Sequence, residues 1–241
     1  MCGRFYRYRS AADIAAKFGA TPADHLDAPP GYNIPPSRQM LAVRFNPKTG
    51  ERTLDALQWG LIPHFAKDRA YASRCSNARV DTKPSYRTAF QKRRCIVPLD
   101  GFIEWKTDGQ REHPYAIAMR DQSLFGVAGL WEKWLLLRTP AAQTKATLSR
   151  GRCGLDPSTG EWLRTLALIT TDANELVSTI HDRMPVILHE NEYTKWLGQE
   201  PVAPATLNYA VSARADGNVA GRRAPQPPAK RRRKPAHATC T

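Results

Sequence analysis

The chain has 241 residues, 41% of them hydrophobic, enough for one sizeable core or two small ones. No run of about 18 apolar residues is present to span a bilayer, and the first twenty residues lack the basic-then-apolar order of a secretory signal, so a soluble cytoplasmic protein is expected. The net charge of +14 favours polyanionic partners; residues 215–241 set seven Lys/Arg against Asp216, and the body that precedes them keeps +8.

Taken in chain order, "GRFYRY" (3–8) has the pattern of a strand, and "SAADIAAKFG" (10–19) that of a helix with Ser10 as N-cap and Gly19 as stop. "MLAVRF" and "LDALQWGLI" continue as strands, and "SRCSNARVDTKPSYRTAF" (73–90) strings basic and polar residues among turn formers. "RCIVPL", "GFIEW", "YAIAM", "LFGVAGLW" and "TLALIT" are further strands, interrupted by a long surface loop at about 136–161. "DANELVSTIHD" is helical, with Asp172 and Glu175 at capping-box spacing, as is "ENEYTKWLG".

Many strands with few helices give an α+β fold: a single domain over residues 2–221, built on a curled mixed or antiparallel sheet with an open barrel-like core and a few flanking helices. Residues 222–241 are Pro-rich and basic and are expected to form a disordered tail. The five cysteines, Cys2, Cys75, Cys95, Cys153 and Cys240, are odd in number and show no C-x-x-C pairing, and the six histidines are scattered. Neither a disulfide framework nor a metal is indicated, and no cofactor is expected.

Four stretches carry polar residues where packing alone predicts apolar ones. Cys2 follows the initiator Met; once Met1 is removed, an α-amine of pKa about 7.7–8 stands beside a thiol of about 8.5. Such a 1,2-aminothiol condenses with an aldehyde and closes to a thiazolidine, an intramolecular step with a large proximity advantage. Taken alone, a cysteine in this place is more often an ordinary packed thiol. Asn77, Arg79 and Arg87 offer an amide and two guanidiniums suited to phosphate, or a solvated basic loop. Glu104 shares its strand face with Phe102 and Lys106; partial burial would raise its pKa and suit it to proton transfer, the alternative being an ion pair with Lys106. His181 stands at the end of a helical pattern, as a helix cap or as a proton donor and acceptor near pH 7.

"MCGRF", "YNIPPS" (32–37), "QWGLIPHF" (58–65), "NARVDT" (77–82), "RCIVPLDGFIEWK" (94–106), "AGLWE" (128–132), "ALITTDAN" (167–174), "IHDRMPVIL" (180–188) and "VSARADGNV" (211–219) occur in this order. Together they resemble the SOS response-associated peptidase (SRAP) family over about residues 2–220. The resemblance implies a sensor of abasic sites in single-stranded DNA that crosslinks itself to the ring-opened sugar aldehyde. A lyase-like strand cleavage, slow reversal and self-removal of Met1 accompany that activity.

It implies Cys2 as nucleophile, Asn77 as the orienting amide, Glu104 as general acid/base and His181 as the proton donor to the opening sugar. Arg4, Arg79 and Arg183 would bind phosphate, with Arg87 beside them; Asn33, Pro36 and Trp59 would lie along the DNA, where an apolar wedge interrupts stacking. The partner is then single-stranded DNA with abasic sites, the protein a monomer, and the location a bacterial cytoplasm near the nucleoid. Three departures stand out. His64-Phe65 replaces a usual tryptophan pair, Asp81 replaces a glutamate, and the 136–161 loop is long, with Arg138, Lys145, Arg150 and Arg152 in it. Two further readings are an N-terminal-nucleophile cysteine peptidase and a non-enzymatic basic nucleic-acid binder driven by the tail.

Overall fold

The computed structural model describes residues 2–79, 84–136, 155–156, 160–200 and 219–223. In chain order the elements are β1 (Arg4–Arg7), α1 (Ala11–Phe18), β2 (Thr21–Pro22), β3 (Gly31–Ile34), β4 (Gln39–Asn46), β5 (Glu51–Trp59), β6 (Asn77–Ala78), α2 (Pro84–Lys92), β7 (Arg94–Leu99) and β8 (Gly101–Asp108). There follow β9 (Arg111–Met119), β10 (Phe125–Leu136), β11 (Leu155–Asp156), β12 (Gly160–Asp172), α3 (Glu175–Ser178), β13 (Arg183–Pro185), β14 (Ile187–Leu188), α4 (Tyr193–Leu197) and β15 (Val219–Arg223).

Helix α1 forms as its sequence dictates: the Ser10 side chain accepts from the Asp13 amide at 3.1 Å, and Gly19 ends the helix in the left-handed region. Helix α3 differs from expectation. Asn174, not Asp172, is its N-cap, because β12 runs on through Asp172 and pairs it with Arg183. The segment 73–90 holds a helix as well as a loop: Tyr86, Ala89 and Phe90 of α2 are buried at helical spacing, with Pro84 at the first position, where its missing amide costs nothing.

Strands β5, β4, β7, β10 and β12 are neighbours in that order, and a parallel contact between β12 and β5 (Thr165 with Gln58, Leu166 with Trp59) closes them into a five-stranded barrel. The curled sheet expected from the sequence is therefore present, and its ring closes. Alternate residues of these strands face two cores. Leu41, Val43, Leu54, Ile96, Ala128 and Ala167 pack with the helical residues Phe18, Tyr86 and Trp196. Met40, Ala42, Leu57, Val97, Val127 and Leu168 pack with Phe5, Phe102 and Ile117 of a second, antiparallel sheet ordered β15-β9-β8-β1-β3. Cys2 lies in this second core.

In the last strand, Arg222 and Arg223 pair with Ala116 and Tyr115 of β9. The rest of the expected tail, Asp81 and residues 137–154 and 157–159 of the expected loop lie outside the described residues.

Candidate functional site

Cys2 stands just ahead of β1 and is fully buried. Its carbonyl accepts from the Asn77 Nδ2 at 2.7 Å, and its Sγ lies 3.5 Å from the Arg183 carbonyl. Burial, and next the negative charge of Glu104, push the thiol well above the ordinary value of 9.0. Glu104 is 2% exposed on β8; its strand neighbour Phe102 is fully buried while Lys106 points to solvent, so the core-facing reading holds and the carboxylate lies against the thiol.

Asn77 is fixed by one strand pairing and one side-chain hydrogen bond. It pairs with Leu168 of β12, and its carbonyl accepts from the Tyr86 hydroxyl at 3.1 Å. Burial keeps that phenol neutral, above its ordinary range. Arg183 connects the cysteine to the histidine through its own backbone: its carbonyl faces Cys2 Sγ and its amide donates to His181 Nδ1 at 2.9 Å. With Nδ1 accepting, the imidazole carries its proton on Nε2. The Asp182 carboxylate also lies 2.9 Å from Nδ1, a contact that becomes favourable when the ring is protonated. His181 is held just past the end of α3, where its backbone N–H donates a hydrogen bond to the Val177 carbonyl at 2.8 Å.

Five buried side-chain polar atoms lack a hydrogen-bond partner among the described residues, and three of them belong to this cluster: Asn77 Oδ1, Glu104 Oε1 and Arg183 Nε. An unpartnered buried polar atom costs about 1–3 kcal/mol, so these three depart from the rule that buried polar groups find partners within the fold.

The other expected residues divide. Arg4 donates to Asn33 Oδ1 at 3.0 Å, joining two predicted DNA contacts across β1 and β3. Pro36 is exposed in a turn whose Ser37 amide donates to the Trp59 carbonyl at 2.8 Å, while the Trp59 amide donates to Arg38 O at 2.9 Å. Trp59 itself corrects the expectation. Its ring is fully buried against Phe5, with centroids 5.0 Å apart, and its Nε1 donates to Ser76 O, so it has no face to offer a base and anchors the Pro36 turn through its backbone instead. Arg79 is exposed after β6, and Arg87 is exposed on α2 beside Tyr86.

The Arg183 guanidinium is already engaged: Nη1 meets Asp172 Oδ1 at 2.6 Å, and Nη2 meets Thr170 O at 2.5 Å. The Asp172 side chain is 91% exposed, whereas that of Arg183 is 12% exposed. Asp172 and Thr170 were not identified from sequence; the signal available was "ALITTDAN", whose ladder to "HDRMP" brings them to Arg183. Among the described residues no group of three or more His, Cys, Asp or Glu could hold a metal, and no helix is long and apolar enough to cross a membrane.

A model of the SOS response associated peptidase (SRAP) family matches residues 1–221. The abasic site processing protein YoqW of Bacillus subtilis is 37% identical over 212 residues, covering 86% of this chain and 84% of the relative. The abasic site processing protein HMCES of Gallus gallus is 36% identical over 169 residues, covering 64% of this chain and 48% of the relative. A crystal structure of a Bacteroides thetaiotaomicron protein superposes with a TM-score of 0.72 at 27% identity, covering 91% of this chain and 90% of that one.

Proposed function

The chain belongs to the SOS response associated peptidase family, and on that premise we propose that it recognises abasic sites in single-stranded DNA and captures them covalently through Cys2. The relatives are named abasic site processing proteins, which supports a DNA-processing role here. The observation that carries the reading is the set of unspent buried polar atoms on Asn77, Glu104 and Arg183 around one anchored cysteine.

Removal of Met1 would expose the Cys2 α-amine. The amine adds to the aldehyde carbon of the ring-opened sugar, and loss of water leaves an imine. Sγ then adds to the imine carbon, its proton passes to the imine nitrogen, and the thiazolidine closes with one water released overall. Glu104, against the thiol, is the group to take that proton and return it to nitrogen. Asn77 Oδ1 accepts from the amine once the sugar arrives, while Nδ2 keeps the Cys2 carbonyl in place. His181 donates from Nε2 to the sugar ring oxygen as it opens.

Arg4, Arg79 and Arg183, with Arg87 further along α2, neutralise phosphates, and Pro36 acts as the wedge beside Asn33. The lyase-like activity follows from the same imine. The peptidase activity in the family's name is proposed here for the Met1–Cys2 bond alone. Intact-mass analysis after heat denaturation tests the reading: the adduct with an abasic oligonucleotide should weigh the Met1-free protein plus the oligonucleotide less one water, and a spectrum showing only unmodified protein would overturn it.

A further inference from the structure

Among the described residues the exposed large hydrophobic side chains are Tyr8, Tyr32, Phe65 and Leu176, and two of these meet. Tyr32 is 73% exposed and Tyr8 40%, with ring centroids 6.4 Å apart and planes within 15°. This is an offset stack, and it stands in solvent on β3, the outer edge strand of the small sheet.

Its base is rigid. The Tyr8 and Arg9 amides donate to Oδ2 of the buried Asp100 at 2.7 and 3.2 Å, and the Arg9 guanidinium pairs with Asp100 Oδ1 while lying 5.2 Å from the Tyr8 ring centroid. Arg7, also buried, holds the Arg9 carbonyl at 2.7 Å. One tyrosine is thus fixed, and the other presents most of its surface to water.

The pair is joined to the capture site through β1. Arg4 and Tyr8 fall on one side of the β1 path by the period of two, opposite the core residue Phe5, and Arg4 donates to Asn33, the neighbour of Tyr32. From Cys2 to Tyr8 is six residues, on the order of 20 Å of extended chain, a reach of a few nucleotides.

We propose that Tyr32, backed by Tyr8 and Arg9, is a stacking platform for a nucleobase a few positions from the lesion. This deepens the abasic-site reading and rests on it. The chemistry fits single-stranded DNA: every base has a π-face, so such a platform holds the strand without regard to sequence, and the surrounding Arg4 and the basic body supply the complementary charge.

The test is the dissociation constant of the full chain for labelled single strands carrying a tetrahydrofuran abasic analogue, which has no aldehyde and so reports binding apart from capture. On a strand with long flanks, Tyr32→Ala should raise Kd about ten-fold and Tyr32→Phe should leave it unchanged. The Tyr32→Ala defect should vanish when one particular flank is trimmed to a single nucleotide. Equal Kd for Tyr32→Ala and the parent chain on long flanks would overturn the platform, as would an equal loss on trimmed and untrimmed strands, or a Tyr32 dependence seen with an acidic peptide and not with DNA. Absence of an adduct with aldehyde-bearing DNA, alongside a retained Tyr32 dependence, would remove the capture reading and leave the platform standing.

Discussion

Burial and the Glu104 charge both act to keep Cys2 a thiol, so in the free protein its sulfur is a weak nucleophile. In the proposed capture reaction this sets an order: the amine attacks first, and sulfur follows when Glu104 takes its proton. The sign with pH follows. A raised thiol pKa favours the protonated form in the fold, so its contribution to stability is intact below 9.0 and is lost as pH rises past it. Glu104→Gln removes the negative charge beside the thiol, so alkylation of Cys2 should reach half its limiting rate at a lower pH than in the parent chain. Crosslinking should meanwhile slow by roughly 10²–10⁴-fold, the range for a lost general acid/base. Alkylation kinetics against a Cys2→Ser control measure the first and gel-resolved adduct formation the second; an upward or absent pH shift would contradict the placement of Glu104. Period-two alternation put Glu104 on the face of Phe102 and Lys106 and left an ion pair with Lys106 open; its burial in the fold decides between them. Trp59 was not legible, because both faces of β5 are buried and alternation there cannot distinguish a core ring from a binding one.

The elements place the site by joining distant segments. β12 receives β6 and β13, which brings Asn77 and Arg183 to the cysteine from positions more than 100 residues apart. Where β5 ends, Gly60 sits at φ +121°, and a Cβ there would come within 2.8 Å of the Ala72 carbonyl. Its amide donates to Leu166 O at 2.8 Å beside the barrel closure. Gly60→Ala should destabilise the chain by about 1–3 kcal/mol, from backbone strain and overpacking, read as a lower urea midpoint. Trp59→Phe loses the bond to Ser76 O and should cost about 1–3 kcal/mol while leaving affinity for single strands within two-fold at a temperature where both chains are folded. A Trp59→Phe chain of unchanged stability but weakened binding would restore the ring as a DNA contact. The α1 caps were legible because Ser10 and Gly19 act locally. Helix α2 was not, since its apolar positions lie within a basic, turn-like composition that hides the period.

At the scale of the whole molecule, many strand-like runs beside few helical ones foretold the α+β architecture, while barrel closure depends on two residue pairs between strands far apart in sequence, which no local pattern announces. The charge is also divided: Lys230, Arg231, Arg232, Arg233 and Lys234 follow the last strand. Deleting residues 224–241 spares β15 and should make the slope of log affinity against log salt shallower by about 0.7 for every phosphate that the tail neutralises, with the crosslink at low salt unchanged. Titrations at several salt concentrations check this, and loss of the crosslink with the tail would move part of the site into it.

The central claim is that Cys2 works with two nucleophiles on one aldehyde, and the direct measurement compares heat-stable adducts of the parent chain and Cys2→Ser with abasic single-stranded DNA, with and without borohydride. The account predicts a heat-stable adduct without reductant for the parent chain, and for Cys2→Ser one that survives heating only after borohydride has trapped the imine. Equal heat-stable adduct from both chains without reductant would contradict it.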